Sequence, residues 1–200
     1  MTATHLPPSP ISTLRTIELT AVCEPLLQRF FEANPEYFLA VQGEPATPGE
    51  AREEIEGELP PVLNFTKKWV IGYVSSDGSL VAMANLISDI FVPSVWNVST
   101  FILATSRYGS GEAQVIYQGL EAWAASNGAR WLRLGVVQGY LRAERFWSSR
   151  GFVETRKRPG YQIGQQINTL RVMYKSLAGG TLEEYLSLLP RDRPEVPNAL

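Results

Sequence analysis

Two closely spaced glycines at the start of an amphipathic segment are the residues in this sequence best suited to chemistry. The heptapeptide RYGSGEA, residues 107–113, places Gly109 and Gly111 between the apolar run FILA and a pattern typical of a helix. The first turn of a helix leaves backbone N–H groups unpaired, and the helix dipole favours negative charge there. Glycines beside such a turn let a phosphate come close to those amides. The segment therefore predicts an anion-binding loop, and the alternative is that the glycines only form a tight turn.

Two widespread phosphate-binding motifs fit this loop poorly. The loop of NTPases requires Gly-Lys-Ser or Gly-Lys-Thr after its glycines, and no such tripeptide follows. A dinucleotide fingerprint would need a small residue at Gln114 and an acid at the end of the next strand, where Val136 and Val137 stand. An unrelated nucleotide-binding α/β domain therefore stays open only as an alternative.

A second motif lies downstream of the loop, in the segment YLRAERFWSSRGF at residues 140–152. Together with the loop, this segment resembles the GNAT superfamily of acyl-CoA-dependent N-acetyltransferases. Members of that superfamily carry N-x-x-A-x-x-L/F-Y-x-x-x-G-F after the strand that follows their loop. The matching residues here are Ala143, Phe146, Gly151 and Phe152, with Tyr140 in place of the Asn and Trp147 in place of the Tyr.

The loop of the superfamily reads Q/R-x-x-G-x-G/A and can be matched in two registers. In the one that we prefer, Gly111 and Ala113 occupy the small positions, and Arg107 lies one place before the leading position. Sliding two residues back puts Ser106 first and both glycines at the small positions. Either register lacks the leading Gln or Arg, so we expect contacts to phosphate to come from backbone N–H groups.

The resemblance implies that acetyl-CoA is the co-substrate and that an acetyl or related acyl group passes to a primary amine of a small molecule or peptide. It places the pantetheine arm in a gap between two splayed strands and the pyrophosphate on the loop amides. The residues that it assigns to the cofactor are Phe101 and Leu103 through their main chain, Tyr108, Gly109, Ser110, Gly111, Glu112 and Ala113 in the loop, and Phe146 and Trp147 in the second motif. Because three motif positions are replaced, the alternative is a catalytically inactive CoA-binding sensor or structural domain.

Two residues are candidates for the acid–base steps. Attack on a thioester requires a neutral amine, so a carboxylate or a chain of water must take its proton. Asp89, which closes the strand AMANLISD, is the candidate base, and the alternative is a turn residue. The superfamily's usual acid is a Tyr at the position of Trp147, and an indole N–H is no usable acid. Tyr140 is the candidate substitute, with packing or cofactor contact as the alternative.

A strongly acidic segment precedes these motifs. From Glu32 to Glu58 the chain contains eight glutamates and one basic residue, Arg52. A solvated acidic face explains this run most simply. The functional alternative is that the carboxylates attract a cationic amine acceptor.

The elements that must position these residues indicate a single α/β domain. Apolar alternation predicts strands over residues 12–19, 67–75, 80–89, 95–104, 130–137, 151–158 and 169–177, and helical periodicity predicts helices over 24–33, 34–41, 47–59 and 142–150. A further helix follows the glycine loop and stops at Asn127-Gly128, and its predicted buried stripe is Ile116, Leu120, Trp123 and Ala124. The pair Asp77-Gly78 predicts a hairpin turn. The resemblance implies a GNAT-like mixed, mostly antiparallel sheet with splayed central strands flanked by helices over residues 12–178. We expect a loose N-terminal tail over 1–11 and a C-terminal helix and tail over 179–200.

Composition restricts the remaining possibilities. Eighteen Lys and Arg against twenty Asp and Glu give a net charge of −2, which is unlike that of a nucleic-acid-binding protein. One cysteine, Cys23, excludes an internal disulfide, and with one histidine, His5, we expect no metal site. The sequence shows neither a secretory signal nor an apolar run long enough for a membrane. We therefore expect a cytoplasmic protein without membrane contact, and relatives in the superfamily make a homodimer possible.

Overall fold

The computed structural model describes residues 5–196. In this part of the chain seven strands form one sheet: β1 (Leu14–Glu18), β2 (Lys67–Ser75), β3 (Leu80–Ser88), β4 (Val95–Leu103), β5 (Trp131–Val137), β6 (Val153–Ile163) and β7 (Gln166–Ser176). Its α-helices are α1 (Glu24–Ala33), α2 (Glu36–Val41), α3 (Glu50–Glu56), α4 (Glu112–Ser126), α5 (Leu141–Ser149) and α6 (Leu182–Leu188).

The strands lie in the order β1-β2-β3-β4-β5-β7-β6. Every neighbouring pair is antiparallel except β4 and β5, which run parallel. Helix α4 makes the crossover that a parallel pair requires. The turn between β2 and β3 contains Gly78 at φ +85°, in agreement with the predicted hairpin. The predicted fold class, a mixed and mostly antiparallel sheet flanked by helices in one domain, is confirmed.

Each face of the sheet is covered by helices with an apolar stripe. The stripe predicted for α4 is buried on one face, together with Trp147 and Phe152 from the second motif. On the opposite face α1 buries Leu27, Phe30 and Phe31 against β2 and β3. We call these the α4 face and the α1 face of the sheet.

The segment expected to be a loose N-terminal tail lies against the α4 face over its described part, residues 5–11. The indole Nε1 of Trp123 donates a hydrogen bond to the carbonyl oxygen of His5 at 3.0 Å. Pro7 is buried, and Leu6 and Ile11 pack against the core of this face. Residues 1–4 of the expected tail lie outside the described residues, as do residues 197–200 at the other end.

The C-terminal segment is attached to the sheet through one carboxylate. Asp192, only 1% exposed, accepts hydrogen bonds from Arg133 Nε at 2.7 Å and Nη2 at 2.9 Å, and from the Tyr185 hydroxyl at 2.6 Å. Burial by itself would raise the pKa of Asp192, but the hydrogen bonds and charge of Arg133 lower it overall. The chain after α6, which we expect to be a tail, is therefore held to β5 by a buried ion pair.

Asp192→Asn should destabilise the fold, because it leaves the buried Arg133 guanidinium without its counter-charge. We expect the free energy of unfolding to fall by about 3–5 kcal/mol, measured by urea denaturation. Glu195→Gln removes a carboxylate from an exposed position three residues later and is the matched control. Equal stabilities of the two variants would contradict a structural role for this ion pair.

Candidate functional site

The central strands of the sheet separate along half of their length. Strand β4 pairs with β5 from Val95, opposite Trp131, to Val98, opposite Leu134, and no further. A register shift on the other side of β4, between Asn85 and Leu86, accompanies the separation. Residues 99–103 and 135–137 instead line a cleft of about 530 Å³. The splayed strands implied by the resemblance are therefore present, and the cleft passes between them.

The glycine loop lies at the open end of this gap, directly after β4. Gly109 and Gly111 have φ values of +82° and +84°, in the left-handed region that glycine tolerates. Apart from the adjacent residues, a Cβ atom added to either glycine would meet no atom of residues 5–196 within 4 Å. The space beside both glycines is therefore open, which favours a site for a close-approaching ligand over a turn packed against protein.

The amides of the loop alternate between paired and unpaired. The N–H groups of Tyr108 and Ser110 donate to Thr105 and Arg107 carbonyl oxygens, and that of Glu112 donates to the Ser110 hydroxyl. Within residues 5–196, the N–H groups of Gly109, Gly111 and Ala113 have no protein acceptor. Three donors are thus left for a ligand at the N-terminus of the 15-residue helix α4.

The acid in the loop is paired within the protein. The Glu112 carboxylate accepts from Arg107 Nη1 at 2.8 Å and from the Ser110 hydroxyl at 3.1 Å. The Ser110 hydroxyl also donates to the Arg107 carbonyl oxygen at 2.7 Å. Ser110 and Glu112 thus brace the loop and do not line the cleft, whereas Arg107 does line it. The pairing with Arg107 offsets the negative charge of Glu112 beside the open amides.

The aromatic candidates from the two motifs meet on the α4 face of the cleft. The rings of Phe101 and Phe146 stack with centroids 5.7 Å apart, and Trp147 lies 5.9 Å from Phe101. All three line the cleft, although Trp147 is only 8% exposed and belongs mainly to the core. Eight of the ten sequence-predicted cofactor residues line this one cleft: Phe101, Leu103, Tyr108, Gly109, Gly111, Ala113, Phe146 and Trp147.

Tyr140, the candidate acid, also lines the cleft, immediately before α5. Burial, followed by the nearby Tyr108 phenol, raises the pKa of Tyr140 to about 12. A phenol with this pKa keeps its proton at neutral pH and is a weaker acid than free tyrosine. The geometry therefore suits Tyr140 for donating a hydrogen bond more than for giving up a proton.

Asp89, the candidate base, lies away from the cleft. Its Oδ1 accepts from the Ser94 N–H at 2.8 Å, and its φ of +52° places it in the turn between β3 and β4. The physical reason is the strand direction: β3 is antiparallel to β4, so the end of β3 lies beside the start of β4. The gap opens at the other end of β4. Asp89 is thus a turn residue, and this placement removes the geometric basis for its role as a base.

A largely buried carboxylate that sequence reasoning did not single out lies behind the cleft on the α1 face. Glu54 of α3 accepts from the Asn85 amide at 2.7 Å through Oε1 and from the Thr100 hydroxyl at 3.3 Å through Oε2. Thr100 and Tyr37 line the cleft. Burial raises the pKa of the Glu54 carboxyl, although the hydrogen bonds from Asn85 and Thr100 act in the opposite direction.

The signal for Glu54 was present in the acidic run between Glu32 and Glu58. All eight glutamates are exposed or partly exposed, as expected for a solvated face, and Glu54 is one of the partly exposed ones. Which one turns inward depends on how α3 packs, because α3 is a short helix whose Ala51 is buried against α1. The composition of the run could not distinguish Glu54 from its neighbours.

Between residues 5 and 196, no group of three or more His, Cys, Asp or Glu side chains is arranged to hold a metal ion. No helix in this range combines the length and apolar character needed to cross a bilayer.

Solved structures of acetyltransferases share the fold of this chain, a mostly antiparallel sheet flanked by helices. An acetyltransferase from Thermus thermophilus has a TM-score of 0.65 and 22% identity, over 82% of this chain and 97% of its own. A GCN5-related N-acetyltransferase from Kribbella flavida has a TM-score of 0.60 and 21% identity, over 82% of this chain and 98% of its own. The ribosomal-protein-S18-alanine N-acetyltransferase from Escherichia coli has a TM-score of 0.62 and 14% identity, over 84% of this chain and 97% of its own.

Comparison by sequence finds no such relatives. No protein-family model matches the chain, and no curated protein matches it. At the identities of the solved structures the likeness shows the fold alone.

The raised pKa of Glu54 predicts a pH-dependent contribution to stability. The contribution is fully present below the unfolded pKa of about 4.3 and is lost as the pH rises through the folded pKa. As the pH rises, the free energy of unfolding of the wild type should therefore fall relative to that of Glu54→Gln. The expected fall is about 1.4 kcal/mol for each pH unit between the unfolded and the folded pKa. Urea denaturation at several pH values measures this difference.

Glu53→Gln, on the exposed side of the same helix, is the control for the general effect of removing a charge. A difference between wild type and Glu54→Gln that stays constant with pH would contradict a buried carboxyl at this position.

Proposed function

We propose that this protein is an N-acetyltransferase that transfers an acetyl or related acyl group from acyl-CoA to a primary amine of a small molecule or peptide. The observation that carries the proposal is the gap between β4 and β5, which opens onto the three unpaired amides of the glycine loop. The fold shared with solved acetyltransferases supports it.

The diphosphate of CoA binds the N–H groups of Gly109, Gly111 and Ala113 at the start of α4. Backbone amides at a helix N-terminus are suited to this charge. The pantetheine arm lies in the gap along residues 99–103, where the β4 edge that faces β5 has no strand partner. There it pairs with the main chain of Phe101 and Leu103.

The reaction forms a C–N bond and breaks the C–S bond of the thioester. As the neutral amine attacks, negative charge develops on the carbonyl oxygen, and main-chain N–H groups of the unpaired β4 edge stabilise it. The amine proton passes to the Thr100 hydroxyl as that hydroxyl donates its own proton to Glu54. The departing thiolate accepts a hydrogen bond from the Tyr140 hydroxyl and takes its proton from water, and the proton that Glu54 then releases to solvent neutralises the hydroxide that is left.

The alternative of a CoA-binding domain without catalysis rests on the three replaced motif positions, and the structure bears most directly on one of them. Trp147 occupies the place of the superfamily's acidic Tyr and is buried among Phe101, Tyr117 and Phe152. Such a protein would be stabilised by acetyl-CoA but would release no free CoA thiol with any amine in a panel. A nucleotide-binding domain would instead be stabilised by ATP or NAD. The cytoplasmic location and the possible homodimer stay predictions.

Ala113→Asp should block the proposed phosphate contact. An aspartate in the first turn suits the helix dipole, so the fold should persist. The added charge would repel a diphosphate by about 4 kcal/mol at 4 Å near a protein surface. We therefore expect the Kd for acetyl-CoA, measured by calorimetry, to rise at least about tenfold.

Gln114→Asp is the matched control, because it adds the same charge in the same helical turn at an exposed position that does not line the cleft. Unchanged affinity in Ala113→Asp, or equal losses in both variants, would count against the loop as the diphosphate site.

Glu54→Gln should slow the reaction without weakening acetyl-CoA binding. Removing a general base typically costs about 10²- to 10⁴-fold, and we expect a loss in that range in kcat/KM for the amine. The wild-type rate should fall as the pH drops through the raised pKa of Glu54, because a protonated carboxyl accepts no proton. The variant should lack this acidic limb.

Thr100→Val tests the relay between the cleft and Glu54 and should reproduce the loss, while Glu53→Gln should leave the rate unchanged. An acidic limb that persists in Glu54→Gln would assign the proton acceptor elsewhere.

A further inference from the structure

The charged side chains that line the cleft all have the same sign. They are the four arginines Arg107, Arg133, Arg142 and Arg158, and none of the lining residues in the described chain is Asp or Glu. This contrasts with the net charge of −2 for the whole protein. The charged groups on the cleft wall are therefore all guanidinium groups, although Arg107, Arg133 and Arg142 each have a carboxylate partner outside the lining.

Two of these arginines belong to the glycine-loop end. Arg107 is paired with Glu112 inside the loop, and the Arg142 guanidinium lies 4.0 Å from the Tyr108 ring centroid. Phosphates of CoA account for positive charge at this end. They do not account for Arg133, which is opposite Asn97 where β4 and β5 are still paired. Asn97 is six residues from Leu103, or about 20 Å along the strand.

At the far end of the cleft, side-chain hydrogen bonds fix the orientation of the Arg133 guanidinium. Its Nε and Nη2 donate to Asp192, and its Nη1 donates to the Asn97 Oδ1 at 3.2 Å. Five N–H bonds are present on a guanidinium, so these three contacts fix its orientation and leave further donors. Arg133 is only 8% exposed and Asp192 balances its charge, so it offers the cleft oriented N–H donors more than free charge.

Further positive charge surrounds this end. Arg158 of β6 lines the cleft beside Tyr161, its Cζ 5.9 Å from the ring centroid. Burial, followed by the charges of Arg133 and Arg156, lowers the pKa of Arg158. Burial, followed by the charges of Arg133 and Arg158, likewise lowers the pKa of Arg191. Arg133 and Arg191 lie against the same ring of Phe91, with their Cζ atoms 5.4 and 4.1 Å from its centroid, and Arg156 Nη1 donates to the Arg191 carbonyl oxygen.

On the basis of the acetyl-transfer function proposed above, we propose that the Arg133–Arg158 end of the cleft is a subsite for an anionic group, a carboxylate or a phosphate, on the amine that is acylated. Planar guanidinium groups bind such oxygen anions through paired hydrogen bonds. Polycationic amines are disfavoured by the same charges. The glutamates of the 32–58 segment then face solvent or, as Glu54 does, serve the proton transfer.

Matched pairs of amines test the subsite through the release of CoA thiol. The pairs are alanine against alaninamide and phosphoethanolamine against ethanolamine, which differ in the anionic group. We expect the better anionic member to exceed its neutral partner roughly 10- to 100-fold in kcat/KM. The pair with the larger ratio tells whether the group is carboxylate or phosphate. A neutral or polycationic amine that is preferred throughout would overturn the proposal.

Arg158→Gln should bring that ratio close to one by raising the KM for the anionic amine, with the KM for acetyl-CoA unchanged. Arg158→Lys keeps the charge but not the planar fork and should give an intermediate ratio. Lys157→Gln, which removes the same charge from an exposed neighbour on β6, should keep the wild-type ratio. A ratio unchanged in Arg158→Gln would overturn the subsite.

A measurement without turnover separates this subsite from the acetyl-transfer proposal. The Nε–Hε NMR signals of Arg133 and Arg158 are followed while the protein is titrated with sodium phosphate or, separately, sodium acetate. A saturable shift of both signals, with the Arg133 shift reduced in Arg158→Gln, supports the subsite even if no amine is acylated. Anion binding without acylation of any amine would overturn the acetyl-transfer function but not the subsite. No shift of either signal overturns the subsite, whatever the turnover.

Discussion

The early end of the pairing between β4 and β5 is the constraint on which the rest of the site depends. A parallel pair that ends after Val98 and Leu134 leaves backbone donors and acceptors on two facing strands without partners. Unpaired backbone groups are costly when they are removed from water, so such a gap persists only if water or a ligand occupies it. On either side of the gap the strands stay in the sheet, because β4 remains paired with β3 and β5 remains paired with β7.

The gap also determines where the other parts of the site can be. Strand β4 leads directly into the glycine loop, so the unpaired amides of the loop lie at the open end. The paired end holds Arg133 and Asn97 instead. A substrate that reaches from one end to the other meets the loop first, then the Thr100–Glu54 pair, then the arginines. The order of groups along the cleft follows from the direction of one strand.

The buried ion pair between Arg133 and Asp192 links this arrangement to the C-terminal segment. Asp192 balances the charge of Arg133 and fixes its orientation, and Arg158 lines the same end of the cleft. A buried pair of this kind adds little net stability compared with apolar packing, but loss of one partner is costly. The contribution of Asp192 to the site is therefore orientation of Arg133, and its contribution to the fold is the attachment of the chain after α6.

What the sequence determined by itself was local. The glycines of RYGSGEA, the alternation around Asp77-Gly78 and the stripe of α4 depend on residue spacing within a few turns, and the two motifs at 107–113 and 140–152 were sufficient to indicate the fold. Asp89 lies away from the gap because its position relative to the gap depends on strand direction, which spacing does not encode. The contacts between Glu54 and Thr100, Arg133 and Asp192, and His5 and Trp123 join residues 46, 59 and 118 positions apart. Only the packed tertiary structure decided them, because burial and pairing across such separations depend on how the helices cover the sheet.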